Sequence, residues 1–463
     1  MFYLCGFEES QRTRWNALAE QCQERLRAQK IRARDPGAVL ADIEMLLGFV
    51  GAKGIRTGSR NANLPPGCLP ELNAKVSHPI KLDLTRALLK DYPNLAGLFI
   101  LLRVMDLFRM QGNRLVVCPA ALEGWRNLNP TEQYFALLEA FLFHAQSPVL
   151  GGESSPYEDA QVFQAVTCFL GQLSDHWRNV KSYEAVRIFG PTGEFPPWKP
   201  FLLQQFGLVE IRRQTAAQAA ERRGGRGGWY FGGVKITPWG QALAWALIEF
   251  MNKREEQMDE TAGAAVGEGD EIAPGDSPAS LNLPEEAEEC DAEDEDTFGT
   301  LQPVFQPYFP EWERVFVPIS HEPRAGTYIF KVTVSGWRGN PSVWRRLAVP
   351  PDNSLENLAG AILRAFGFYD SDHLYDFSYR DQRGKRRVYF HPYTDKGPYS
   401  WEIDGGNTDL AIKDQMTFTF DYGDKWQFTL LLEKVEEGPS ALAKVEVIES
   451  AGAAPPQYPN FEE

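Results

Sequence analysis

Apolar residues recur mostly at helical spacing up to Met251 and at a spacing of two in much of the chain beyond Thr327. In the later region, Leu355, Leu358, Ala359, Ile362, Leu363 and Phe366 fall on one continuous stripe of a helix over 354–366. Asn353 and Ser354 are suited to cap it, with Glu356 placed as a capping-box partner and Gly367 where a left-handed residue is wanted. Before this helix, 328–334 and 343–349 alternate as strands. After it, Met416, Phe418, Phe420 and Tyr422 alternate with Thr417, Thr419 and Asp421. Gly423 and Asp424 supply a turn, and Trp426, Phe428 and Leu430 resume the apolar face. These signals agree on an α+β unit.

Earlier in the chain, the spacing predicts helices over 9–33, 36–50, 82–89, 95–108 and 131–144, with a short strand over 114–118 following a turn at Gly112-Asn113. Between the second and third helices, 51–70 reads as a loop carrying Lys53, Arg56 and Arg60. A succession of helix, helix, short strand and helix is what a winged-helix unit gives. A second example follows. A helix over 199–206 ends at Gly207, strands lie over 208–213 and 229–236, and Thr237-Pro238 opens a helix with a good cap and Pro at its first position. The loop between these strands holds Arg222, Arg223 and Arg226 among glycines, so it is suited to neutralising phosphates without reading bases.

Charge changes this picture in one place. The net charge is -16, yet 255–296 alone carries seventeen Asp and Glu with no Lys or Arg, which leaves the remainder close to neutral. With few aromatics and many Gly, Ala, Pro and Ser, this segment has the composition of a disordered linker. It is read as a spacer, or as an acidic mimic competing with nucleic acid for a basic face of the same chain. The 6 cysteines include no Cys-x-x-Cys pair, so neither a disulfide framework nor a zinc knuckle is indicated. The N-terminus does not resemble a signal peptide, and the apolar run 98–102 is cut by Arg103, far short of a membrane span. A cytoplasmic protein without a membrane partner is expected.

Three ordered motifs carry a family resemblance: Trp344-Arg345-Arg346, His373-Leu374-Tyr375-Asp376-Phe377, and Phe420-Asp421-Tyr422-Gly423-Asp424-Lys425-Trp426. Together they resemble the family named after the third open reading frame of the Ri plasmid, whose members also occur as passengers of an insertion element. The resemblance implies an association with mobile DNA and no particular reaction. The acidic-His pair that usually follows the family's last Trp is replaced here by Gln427-Phe428.

The expected architecture is α+β and multi-domain. It comprises a mainly helical N-terminal half with winged-helix-like units, a disordered acidic linker, and an α+β C-terminal domain with antiparallel hairpins and one main helix. The expected boundaries are 1–80 (helical), 81–150 and 151–254 (winged-helix-like), 255–300 (linker), 301–440 (the plasmid-family domain) and 441–463 (a flexible tail). Arg222, Arg223 and Arg226 are the candidate nucleic-acid contacts. Trp344, Arg346, His373, Tyr375, Asp421, Asp424 and Trp426 are the candidate lining of a C-terminal groove. No phosphate loop, nucleophile elbow or His-Glu-x-x-His stretch occurs, so no cofactor or resident metal is expected. The leading reading is a non-enzymatic module that binds a DNA backbone or a protein. The alternative is a metal-dependent hydrolase or nuclease using carboxylates around the last hairpin.

Overall fold

The structure is a computed structural model that describes residues 17–57, 63–82, 84–111, 113–145, 162–179, 198–215, 231–265, 298–319, 325–335, 343–394 and 397–458, with backbone alone at 231, 254–265 and 335. In chain order the helices and strands are α1 (Ala19–Ala28), α2 (Val39–Val50), β1 (Ile55–Arg56), α3 (Leu69–Lys75), α4 (Pro93–Val104), β2 (Phe108–Gln111), β3 (Arg114–Val117), α5 (Pro119–Arg126) and α6 (Pro130–Glu139). There follow α7 (Val162–Gln172), β4 (Arg178–Asn179), α8 (Trp198–Gln205), β5 (Val209–Arg213), β6 (Phe231–Ile236), α9 (Pro238–Ala265) and α10 (Gln302–Phe305). The last are β7 (Thr327–Ser335), β8 (Trp344–Val349), α11 (Leu355–Ala365), β9 (Tyr375–Arg380), β10 (Arg386–Phe390), β11 (Gln415–Phe420), β12 (Trp426–Glu436) and β13 (Glu446–Ala451). The fold is α+β, with antiparallel sheets throughout.

The chain forms two compact units, and each draws on distant segments. One unit combines Met1–Ala41, Leu128–Phe143 and Ala160–Val317; the other combines Asp42–Asn127, His144–Asp159 and Pro318–Glu463. The division therefore does not fall at the acidic segment. Residues 301–317, which the sequence assigns to the C-terminal domain, belong to the first unit, and the segment 42–127 belongs with the C-terminal sheet.

Aromatic packing explains the first assignment. Phe135 on α6 stacks on Trp312 with ring centroids 4.4 Å apart and planes 8° from parallel, and meets Phe305 at 4.9 Å and Phe309 at 5.2 Å. The buried Glu139 carboxylate accepts the N–H of Gly299 at 2.7 Å and of Leu301 at 2.6 Å. Asn129 caps α6 in a reciprocal capping box with Glu132, whose other oxygen takes the N–H of Arg314 at 2.7 Å. The Tyr134 hydroxyl donates to the Phe206 carbonyl at 2.7 Å and accepts from the Trp239 indole at 2.9 Å. Where residues 36–37 cross 206–207, a Cβ on Gly37 or Gly207 would collide with the other segment's backbone.

In the second unit, α2, β1, α3, α4, β2 and β3 form one module whose sheet has the order β1-β3-β2. The first unit repeats the pattern with α7, β4, α8, β5 and β6, and the order β4-β6-β5. In both modules the helix before the second strand is sunk. Every residue of α4 is buried, as are all but one of the eight residues of α8. The expected helix over 82–89 is absent: 84–88 are irregular and a short 3-10 turn follows at Leu89–Asp91. The helix expected to run to 108 stops at Val104, because 108–111 is a strand paired with β3. Its apolar residues satisfy a helical stripe and a buried strand alike.

The large sheet has the order β10-β9-β11-β12-β7-β8-β13. Its core face holds Phe330, Leu347, Tyr375, Phe377, Met416, Phe418, Phe420, Trp426, Phe428 and Leu430, covered by Leu355, Leu358, Ile362 and Leu363 of α11. The Ser354 hydroxyl caps α11 by accepting the N–H of Asn357, and Gly367 takes φ 72° just after it. Residues 441–458 are not a detached tail: β13 pairs with β8 along the sheet edge, and Gln457 beyond it is buried.

The module and the sheet meet at a buried charge network. Arg103 of α4 donates to the Gln382 carbonyl at 2.9 Å through Nε and again through Nη2. The Gln382 side chain accepts the N–H of Met110 at 3.0 Å. Arg383 pairs with Asp106 at 2.7 Å, and Arg109 pairs with Asp409. The turn between β9 and β10 is thus plugged into the α4–β2 corner.

Candidate interaction site

Strand β9 begins at Tyr375, β10 ends at Phe390 and β11 ends at Phe420, and these strands are neighbours. The segments 368–374, 391–394 and 421–425 therefore leave the sheet at one end. The turn after β11 is built by Asp421, which adopts φ 57°. Its Oδ1 accepts the N–H of Gly423 at 2.9 Å and of Asp424 at 3.4 Å, bonds that help a short polar residue tolerate the left-handed region. The other oxygen, Oδ2, lies 3.7 Å from His373 Nδ1.

On its far side, His373 Nε2 is 3.4 Å from Asp370 Oδ2 and 3.1 Å from the Tyr458 hydroxyl. Tyr458 donates to Asp370 at 2.7 Å. That bond holds the Asp370 carboxyl below the usual carboxylate range and pushes the Tyr458 phenol up to about 12. Gln457, in the strap that follows β13, holds the segment before His373, its Oε1 accepting the N–H of Tyr369 at 3.1 Å and of Asp370 at 3.0 Å. Alongside, the His391 ring lies edge-on to Tyr375 at 4.6 Å, and its Nδ1 accepts the Tyr393 N–H at 3.1 Å. Burial lowers the His391 pKa. The Tyr375 hydroxyl shares a 3.0 Å hydrogen bond with Ser400, and burial pushes its pKa up to about 12.

Around this frame stand aromatics that the fold does not cover. Tyr393 is 83% exposed, Tyr369 78% and the Trp401 indole, next to Ser400, 53%. Leu374, Tyr422 and Tyr458 are exposed as well. Carboxylates are interleaved with them. Asp372, Asp424 and Glu356 make no ion pair among the described residues.

The proposed groove divides. His373, Asp421 and Asp424 stand at this end, while Tyr375 and Trp426 point into the core. Trp344 and Arg346 lie on β8, four strand positions from β9, or roughly 19 Å at about 4.8 Å per strand. There Arg346 pairs with Glu433 at 2.7 Å and with Glu449, and Lys331 lies 4.8 Å over the Trp344 ring. Neighbouring Arg345 faces the core side and donates to the carbonyl of Ala365 at 2.8 Å. Arg222, Arg223 and Arg226 lie outside the described residues. Tyr369, Tyr393 and Trp401 are not among the residues that the sequence assigns to the groove; each is an aromatic in a polar, turn-rich stretch.

The comparisons bear on this domain. Residues 326–458 match the family described as plasmid pRiA4b ORF-3-like protein. The match spans the strands, the main helix and the whole His373 end. No curated protein matches the chain. A crystal structure titled as a protein of unknown function, MM3350 from Methanosarcina mazei Go1, is similar at 23% identity over 29% of this chain and 74% of that one, with a TM-score of 0.26.

No helix among the described residues is long and apolar enough to cross a membrane. Among the same residues, no group of three His, Cys, Asp or Glu is placed to hold a metal ion. The carboxylates of the hydrolase reading are dispersed: Asp409 is held by Arg109, Asp404 lies near Asp352, and Asp421 serves its turn.

Replacing Tyr458 by Phe removes the donor to Asp370, so the Asp370 pKa is expected to rise toward its ordinary value. A lowered carboxyl pKa adds stability above the ordinary carboxylate range and loses it as pH falls through the shifted value. The variant should therefore lose that acid-dependent increment. A carboxyl NMR titration reads it, and an unchanged Asp370 midpoint would show that Tyr458 does not set it.

Proposed function

We propose that this chain is a non-enzymatic protein-interaction module, associated with mobile DNA as the plasmid family suggests, whose docking face is the His373 end of the large sheet. The observation that carries the reading is the group of uncovered aromatics there, Tyr369, Tyr393, Trp401, Tyr422 and Tyr458, at one end of the sheet. Isolated exposed apolar residues are ordinary, but a cluster rimmed by polar groups marks an interaction site. Aromatic residues are also the side chains most enriched at the centres of protein interfaces.

The two repeated modules have the order of winged helices, and they support a scaffold role. In a DNA-reading winged helix the last helix enters the major groove and needs exposed polar side chains. Here α4 and α8 hold that place in the sequence, and both are buried. A backbone-only contact through Arg222, Arg223 and Arg226 is the nucleic-acid alternative. Three phosphate contacts would give a log-log salt slope of about −2.7.

Two measurements on the full chain test the reading. Peptide display is expected to enrich ligands whose binding is lost in Tyr393→Ala/Trp401→Ala while the melting temperature is unchanged. Duplex titration at several salt concentrations is expected to give the same result for wild type and Arg222/Arg223/Arg226→Ala. Display ligands indifferent to the aromatic double variant would overturn the docking face. A wild-type slope near that value, flattened in the triple variant, would establish the nucleic-acid alternative.

A further inference from the structure

Resting on the docking face proposed above, we infer that its partner is a cationic protein segment, one presenting several Arg or Lys side chains in extended or turn conformation. Two observations combine. Tyr369, Tyr393 and Trp401 present uncovered rings, and a ring face attracts a guanidinium or ammonium group within about 6 Å of its centre. The same end carries Asp370, Asp372, Asp421 and Asp424, and Lys425 is the one Lys or Arg among the described residues of 368–376, 391–394, 397–402 and 420–426. Asp372 and Asp424 make no ion pair among the described residues, so they are available to a ligand.

The charge selects the class of partner. An aromatic platform serves single-stranded nucleic acid when a positive groove tracks the phosphates beside it. Here the groups beside the rings are carboxylates, which repel phosphate and complement Arg and Lys. Arg suits the site better than Lys because its planar group stacks on a ring and engages a carboxylate through two donors. The chain itself shows the ring half of this chemistry elsewhere, with Lys331 4.8 Å and Arg346 5.1 Å from the centre of Trp344.

The test uses the full chain and fluorescein-labelled twelve-residue peptides of Gly and Ser carrying three Arg, three Lys, three Glu or no charge. The read-out is anisotropy at low and physiological salt, with a labelled single-stranded oligonucleotide as a further probe. The Arg peptide is expected to bind best, the Lys peptide next, and the Glu peptide and oligonucleotide not at all. Each of Tyr393→Ala and Trp401→Ala is expected to weaken the Arg peptide about two- to fivefold. Asp372→Asn/Asp424→Asn is expected to weaken it further and to reduce its salt dependence.

Uncharged or Glu peptides that bind in a Tyr393- and Trp401-dependent manner would overturn the cationic partner while keeping the docking face. Oligonucleotide binding lost in the same variants would put nucleic acid at this face instead. Arg-peptide binding indifferent to all four positions would remove the site from the interaction altogether. If no probe binds but displayed ligands do so through Tyr393 and Trp401, the cationic partner falls and the docking face stands.

Discussion

Cleavage at a protease site engineered between 266 and 297 is expected to leave one nicked particle, whereas 1–265 and 298–463 expressed apart do not fold. Each compact unit takes segments from both sides of that cut. The first unit would lose Phe305, Phe309 and Trp312, all buried, from around Phe135. Burying each such ring stabilises by roughly 1.5–3 kcal/mol, so the three account for about 5–9 kcal/mol. That is comparable with the roughly 5–15 kcal/mol by which a domain is stable at all. The second unit would lose β1, β2, β3 and α4, leaving the buried carbonyl of Gln382 without Arg103 and the buried Asp381 beside an open corner. Gel filtration and circular dichroism of the nicked chain and of the two separate pieces decide it. Two monodisperse, cooperatively melting pieces would show that the segment divides autonomous domains after all.

The second large effect lies in the last hairpin. Phe420 is fully buried, and Trp426 packs edge-on against Phe368 at 4.9 Å. Replacing either by Ala is expected to cost about 3–5 kcal/mol through lost burial and the cavity left behind. At about 2–4 °C per kcal/mol for a unit of this size, the melting temperature should fall by roughly 6–20 °C. Thermal melts of the full chain check this. A shift below a few degrees at both positions would mean that the sheet end is not a packed core. Tyr393→Ala, by contrast, removes a ring that is 83% exposed, so its melt should match wild type.

The C-terminal domain was legible because its signals are local and mutually consistent. The α11 stripe puts Leu355, Leu358, Ile362 and Leu363 on one face whatever packs against it. The alternation through Met416, Phe418 and Phe420 chooses one face of a strand in the same way. Ser354 caps α11 and Gly367 follows it because a hydroxyl and a missing Cβ act within one turn. In the N-terminal half the apolar pattern predicts a helix over 82–89, where 84–88 are irregular, and a helix as far as 108, where the observed one ends at Val104. At 105–108 the apolar run is compatible with a helix or with a fully buried strand, and only the pairing of β2 with β3 chooses between them.

By itself, then, the sequence determined the α+β class, the main helix and last hairpin of the C-terminal domain, and the acidic composition of 255–296. Each is written in neighbouring residues. The tertiary structure alone decided which segments share a core. That depends on contacts between residues far apart in the chain, such as Phe135 with Trp312 and Arg103 with Gln382, which leave no periodic trace. It also decided the candidate site. Trp344 and His373 are equally conspicuous in the sequence, but three intervening strands separate them. Tyr369, Tyr393, Trp401 and Tyr458, inconspicuous in their loops, gather at one sheet end because β9, β10 and β11 are neighbours and the strap beyond β13 returns to Asp370.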